Sequence, residues 1–310
     1  MPAQLHTVLG ASGATGRAVI LELAKRNLSI RAVHRSAKPS ESGTVQANLL
    51  DKEQTIRAID GSSYVYLCVG LQYRSKVWER DWPLLMANVI EACIVTKAVL
   101  IFFDNVYMYS KPLHNPFNEQ HPQQPSTKKG IARKSVADLL LSSVRKHKLQ
   151  AVIGRSADFY GPHAVNSPFH ISFLERMLCG KSPMALGKAN ARHTYAYTID
   201  NGKALVELAL DESTYGQVWH LPAGDPLTIE QLTELFNCAL STRYETAYLS
   251  HFLRTTLSLF IPPLREVTEM LYQFEDDYIM SSDKFKDHFP RFKVTPYEVG
   301  ISEMIKSFEN

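Results

Sequence analysis

The chain has 310 residues, 45% of them hydrophobic and 21% charged, so it can bury a large core and is not disordered. A net charge of +3 without a Lys/Arg-rich block gives no electrostatic ground for a nucleic-acid partner, and no apolar run approaches the roughly 20 residues of a membrane span. Cys68, Cys93, Cys179 and Cys238 are widely spaced in apolar surroundings, with no CxxC pair or His/Cys cluster. They are expected to be buried free thiols of a cytoplasmic protein that binds no metal and has no signal peptide.

In chain order, strands are predicted at His6–Leu9, Ile30–His34, Gly43–Ala47, Tyr64–Val69, Ala98–Phe103 and Ala151–Arg155. Between them fall helices at Arg17–Arg26, Glu53–Ile59, Trp82–Thr96 and Thr127–His147, the last preceded by a Pro/Gln/His-rich loop, Lys111–Pro125. Strands alternating with helices imply parallel βαβ units covered on both faces: an α/β, doubly wound sheet. After Gly161 the pattern is less regular. Helices are predicted at Ile171–Cys179, Gly202–Leu210, Thr228–Ser241, Leu249–Phe260 and Leu264–Phe274, with extended stretches at Thr194–Ile199 and Gln217–Leu221. The expected organisation is a dinucleotide-binding domain at 1–160, rejoined by about 194–224, and a smaller, mostly helical substrate domain from 161–193 and 225–310.

The stretch VLGASGATGRAVILELAKR places Gly10, Gly13 and Gly16 between a strand and a helix. Glycines there allow a tight turn, a close approach of backbone N–H groups to a pyrophosphate, and close helix–sheet packing. The GxxGxxG spacing resembles that of the extended and atypical short-chain dehydrogenases/reductases, of the epimerase/dehydratase kind. RSADFYGP (Arg155–Pro162), RHTYAYTIDNGKALVELAL and GQVWHLPAGDPLTIEQLTELF resemble further segments of that family.

The resemblance implies a set of cofactor contacts. Ser12, Ala14 and Thr15 join the three glycines at the pyrophosphate. Arg35 and Ser36, with Lys38 close by, stand where NAD-selective members offer a carboxylate, so NADP is expected over NAD. Asn48 and Leu49 fall at the adenine edge, Cys68, Val69 and Gly70 beneath the adenosine, and Arg155 and Asp158 near the nicotinamide.

In active members, the helix beginning near residue 129 carries Tyr-x-x-x-Lys, whose phenol exchanges a proton with substrate while its lysine holds the nicotinamide ribose. Here Lys129 falls at the tyrosine position and Arg133 at the lysine position. A literal YxxxK, Tyr107 to Lys111, precedes Pro112 and cannot form one helical face. Asp104, Asn105, Tyr107 and Tyr109 should line the crevice at the strand end.

Three readings follow. The site works with altered groups, Arg133 on the ribose and Lys129 or a tyrosine of the Tyr107/Tyr109 pair exchanging the proton; or the chain is a catalytically silent NAD(P)-binding sensor or regulator; or the cation pair lies on the surface. The first is favoured, acting on a small polar or sugar-nucleotide-like substrate, and a homodimer through the Trp82–Thr96 and Thr127–His147 helices is the family's common arrangement. His163, His170 and His193 are weaker pocket candidates. Trp78 and Trp82 are expected to pack at the start of their helix, and Asn88 to be a buried amide.

Overall fold

The computed structural model describes residues 4–36, 43–147, 149–249 and 262–309. Lys38, and the helix expected over Leu249–Phe260 apart from Leu249, lie outside them. The chain divides into two compact units: Met1–Ser110, Pro122–Ser156 and Ile199–Leu221 form the first, and Lys111–His121, Ala157–Thr198 and Pro222–Asn310 the second.

The first unit is built on a parallel seven-stranded sheet in the order β10-β6-β5-β4-β1-β2-β3. Its strands are β1 (Leu5–Leu9), β2 (Ser29–His34), β3 (Thr44–Gln46), β4 (Tyr64–Leu67), β5 (Val99–Asp104), β6 (Ala151–Arg155) and β10 (Val218–His220). The chain first runs outward from β1 through β2 to β3, then restarts at β4 on β1's other side. Leu9 therefore pairs with Val33 on one flank and Leu67 on the other. That reversal opens a crevice at the carboxyl ends of β1 and β4. The strand predicted at Gln217–Leu221 does rejoin this sheet, pairing with β6.

The helices are α1 (Ala14–Lys25), α2 (Lys52–Ile59), α3 (Ser75–Thr96), α4 (Lys128–His147) and, later, α6 (Thr198–Leu210). α3 starts seven residues before the predicted Trp82, with Pro83 inside it. Trp78, Trp82, Leu85, Met86 and Val89 make one continuous buried stripe, and its packing outweighs the single backbone hydrogen bond that proline removes. α4 corrects the sequence pattern in a more telling way. Ile131 and Leu139, apolar residues at helical spacing, are exposed, whereas Lys129, Ala132, Arg133, Val136, Ala137 and Leu140 are buried. The two cations lie on the packed stripe.

Within the second unit, β7 (Asp158–Tyr160) pairs with β9 (Tyr195–Tyr197), and β8 (Met184–Ala185) with β11 (Ala247–Tyr248). The predicted helix at Ile171–Cys179 is a π-helical segment, Phe169–Leu174, running into the short α5, Glu175–Leu178. α7 (Ile229–Leu240) is closed by a capping box of Thr228 and Gln231. The helix predicted at Leu264–Phe274 is a shorter α-helix, Pro262–Thr268, followed by a 3₁₀ turn, Leu271–Phe274. Two helices, Asp283–His288 and Tyr297–Glu309, were not anticipated. The cysteines also depart from expectation: Cys68 and Cys93 are buried free thiols, but Cys179 and Cys238 are exposed.

Candidate dinucleotide and active site

The glycine turn follows β1 at the crevice. Gly10 has φ +82°, and a Cβ there would sit 2.8 Å from the Cys68 carbonyl oxygen. The backbone of β4's end thus lies against the turn, as close as an α-hydrogen permits. A Cβ on Gly16 would stand 2.3 Å from the Gly10 carbonyl oxygen, so the third glycine is what seats α1 on the strand. Gly13 is the N-cap of α1, has no side chain to cap the helix, and is exposed beside Ser12. The α1 amino terminus is therefore left with its partial positive charge facing outward. Thr15, buried next to Ala14, has a hydroxyl oxygen without a hydrogen-bond partner among the described residues. A buried orphan hydroxyl at an uncapped helix start fits a phosphate ligand, and the cradle suits a dinucleotide pyrophosphate.

The side expected to take the adenosine is built from β2, β3 and α2. Arg35 and Ser36 follow β2 and are exposed. Arg35, Val45, Gln46, Asn48, Gln54, Arg57 and Ala58 surround a pocket of about 470 Å³. The Asn48 backbone N–H donates to Gln54 Oε1 at 3.0 Å, and the Asn48 side-chain Oδ1 accepts from the Leu50 N–H at 3.2 Å. Leu49 is buried, and its carbonyl oxygen accepts from Asn88 Nδ2 at 3.0 Å. Asn88 is thus a satisfied amide that fixes the adenine-side segment. Gly70 has open space where a Cβ would point, and burial pushes the neighbouring Cys68 thiol up to about 12.

Around the cation pair, the crevice holds a closed charge network. Arg133 donates from Nε to Asp104 Oδ1 at 2.8 Å and also from its terminal nitrogen to the same oxygen. Arg155 Nε donates to the other carboxylate oxygen at 3.1 Å. One carboxylate therefore stands between two guanidinium groups, and all three side chains are buried. The Arg133 guanidinium also lies 4.3 Å from the Trp82 ring centroid and 4.9 Å from that of Phe102. Those aromatic faces cover it as cation–π partners.

Arg155 continues the network. It donates to the Tyr109 hydroxyl at 3.0 Å, and that hydroxyl lies 2.5 Å from His220 Nε2. Burial alone works against the Arg155 charge, but Tyr109 and Asp104 more than offset it and leave the guanidinium more firmly protonated than usual. His220 and Gln123, which accepts from Arg155 at 3.3 Å, were not anticipated as members of this cluster. The signal was available for His220 alone, at the carboxyl end of a strand predicted to rejoin the sheet.

Lys129 is fully buried, donates to the Ser75 hydroxyl at 3.1 Å, and stands 4.5 Å from the Tyr73 ring centroid. Asn105 forms the turn after β5, accepting from the Tyr107 N–H at 3.2 Å. Tyr107 is half-buried and stacks on Trp78, with centroids 6.2 Å apart. Lys111, its partner in the literal YxxxK, belongs to the second unit and lies over the Tyr272 ring. Asp158 also belongs to the second unit, where its carboxylate lies 3.2 Å from His193 Nε2. His163 is exposed, and His170 packs on Phe308 at 4.2 Å. Among the described residues, no group of His, Cys, Asp and Glu could hold a metal ion, and no helix is long and apolar enough to cross a membrane.

Comparison with known proteins gives a family and a fold. Residues 6–220 match the model of the NAD dependent epimerase/dehydratase family. A mouse dTDP-D-glucose 4,6-dehydratase is 23% identical over 163 residues, covering 52% of this chain and 45% of that protein. The match thus spans less than half the length of that curated relative. Among solved structures, the UDP-N-acetylglucosamine 4-epimerase from Bacillus cereus superposes with a TM-score of 0.80 at 16% identity, covering 99% of this chain and 97% of the other. The Thermus thermophilus UDP-glucose 4-epimerase in complex with NAD gives 0.77 at 18% identity, covering 99% of each chain. At such identities these structures establish the fold alone.

Proposed function

Because the chain belongs to the NAD dependent epimerase/dehydratase family, we propose that it is a dinucleotide-dependent enzyme of that chemistry, acting on a small polar, sugar-nucleotide-like substrate. The observation that carries this is the cradle formed by Gly10, Gly13, Gly16 and the orphan Thr15 hydroxyl at the start of α1. The cofactor supplies hydride transfer when bound. Arg35 at the end of β2, with no carboxylate beside it among the described residues, favours NADP over NAD.

The proton chemistry then falls to a group other than the usual phenol on α4. Of the side chains expected there, Tyr107 has both a titratable hydroxyl and partial exposure, at the carboxyl end of β5. Arg133 holds Asp104, and through it Arg155 and Tyr109, in one orientation. It is a positioning residue, and Asn105 shapes the turn that carries Tyr107. Lys129 lies behind this surface on Ser75.

Purified protein titrated with NADPH and NADH by calorimetry should bind both, NADPH more tightly. Protein with bound dinucleotide, incubated with UDP-glucose or dTDP-glucose as probes, should give an epimer or a 4-keto product by NMR. Tyr107→Phe should abolish that turnover and leave NADPH affinity within about twofold. No dinucleotide uptake at all would sink the proposal. A second reading, a dinucleotide-binding sensor without turnover, is favoured by one observation: both former catalytic positions on α4 are buried and engaged in internal contacts. NADPH binding without turnover of either sugar nucleotide, unchanged by Tyr107→Phe, is its signature.

A further inference from the structure

We propose that Arg57 on α2 is a second, cofactor-discriminating cation, which closes with Arg35 on the 2′-phosphate of NADP. The inference rests on the NADP reading above and adds a residue from a different element. Both arginines line the pocket of about 470 Å³ between the end of β2, β3 and α2. The small apolar side chains of Val45 and Ala58 share that lining, while Gln46, Asn48 and Gln54 supply amides.

The pocket is set before any ligand arrives. Gln46 Nε2 donates to the Arg35 carbonyl at 3.3 Å, which ties the β2 exit to β3. Gln54 accepts from the Asn48 N–H and donates to Asp51 at 3.0 Å, which ties the β3 exit to α2. Asp51 in turn caps α2 through the Gln54 N–H. These contacts fix the backbones that present the two arginines, whose side chains are exposed.

Arg57 is held only lightly. It faces Glu53 across 3.5 Å in an i,i+4 pair whose side chains are 67% and 84% exposed. Such pairs stabilise a helix by a few tenths of a kcal/mol and are screened by salt. A phosphate dianion competes easily for that guanidinium, because charge-assisted, two-pronged hydrogen bonds to phosphate are stronger than an exposed ion pair. A lone arginine at an exposed site neutralises half of that charge. The second cation supplies the rest.

The test is calorimetric titration of parent, Arg35→Ala, Arg57→Ala and the double variant with NADPH, NADH, 2′,5′-ADP, 5′-ADP and inorganic phosphate. Arg57 is exposed, so its variant should keep the parent melting temperature. The expected result is that Arg57→Ala weakens NADPH and 2′,5′-ADP by about tenfold and leaves NADH and 5′-ADP unchanged. The double variant should show no preference between NADPH and NADH. An Arg57→Ala protein with the parent's NADPH-to-NADH ratio, alongside an Arg35→Ala protein that has lost it, would overturn the role of Arg57 and leave the NADP reading standing. Equal affinities in the parent would overturn both. Inorganic phosphate binding that depends on Arg57, without any difference between 2′,5′-ADP and 5′-ADP, would also overturn it and mark the pocket as a free-anion site.

Discussion

Asp104 shows how a substitution at one position can change the meaning of a motif. With an arginine at position 133, one oxygen of the carboxylate at the end of β5 accepts from two guanidinium nitrogens, and Arg155 occupies its other oxygen. Taking three charges out of water is costly, so such a cluster is stable only when every member is engaged. Removing Arg133 leaves Asp104 balanced by Arg155 alone, with its Oδ1 stripped of both guanidinium donors in a dry site and a gap against Trp82 and Phe102. Arg133→Ala should therefore lower stability by about 1–3 kcal/mol, read by urea denaturation. A solvent-facing ribose ligand would instead leave the midpoint unchanged. His6 makes a second residue-scale case. It is wholly buried, bonded to the Tyr66 hydroxyl at 3.1 Å and stacked on Tyr64, and burial pulls its pKa down to about 4. The unfolded chain takes up that proton near pH 6.5, so the unfolded state binds more protons between the two values. The stability contributed by neutral His6 is complete above pH 6.5 and is lost as pH falls toward 4. Its size is roughly 3 kcal/mol. A His6→Gln protein should show a correspondingly flatter stability profile between pH 6.5 and 4.

At the scale of elements, the amino-terminal turn separates packing from binding. Gly16 has no room for a methyl group, with the Gly10 carbonyl oxygen 2.3 Å from where Cβ would be. Gly13 has room within the chain, its nearest neighbour there being the same oxygen at 3.4 Å. Gly13→Ala should therefore keep the parent melting temperature within about 2 °C. If the proposed cradle holds the pyrophosphate, it should still weaken NADPH by more than about tenfold, because the methyl group would crowd the exposed start of α1. Gly16→Ala should lose both. The strands and this turn were legible because apolar runs and glycine spacing are local signals. α3 was misread at its start because Trp82-Pro83 looks like a helix entry, whereas the buried face extends back through Trp78 to Ser75. On α4 the periodicity was right and the face was wrong. The family pattern places Lys129 and Arg133 in the site, and their burial rests on partners on other elements, Ser75 and Asp104, that no local period shows.

On the scale of the whole molecule, legibility follows sequence distance. The sheet of the first unit comes from successive βαβ steps, each readable by itself. The core of the second unit is assembled from aromatics far apart in the chain. Phe169 stacks on Tyr160 at 4.5 Å and meets Tyr195 at 4.7 Å and Phe236 at 5.7 Å, while Tyr160 stacks on Tyr297 at 5.6 Å. No local period announces such a cluster, and the helix Tyr297–Glu309 that completes it was missed for that reason. The two kinds of construction respond differently to ligand. The cradle, the adenosine pocket and the Asp104 network all belong to the first unit, so a dinucleotide that binds the native chain stabilises it by mass action. At about 100 times the dissociation constant this amounts to roughly 2.7 kcal/mol. For a chain of this size that shift is several degrees in melting temperature. NADPH at that excess should therefore raise the thermal midpoint of the parent and of Phe169→Ala by similar amounts, although truncating the aromatic ring lowers the latter's starting midpoint. In Gly13→Ala the same NADPH concentration should produce little shift. A full shift in Gly13→Ala would mean that the dinucleotide is held somewhere other than the start of α1.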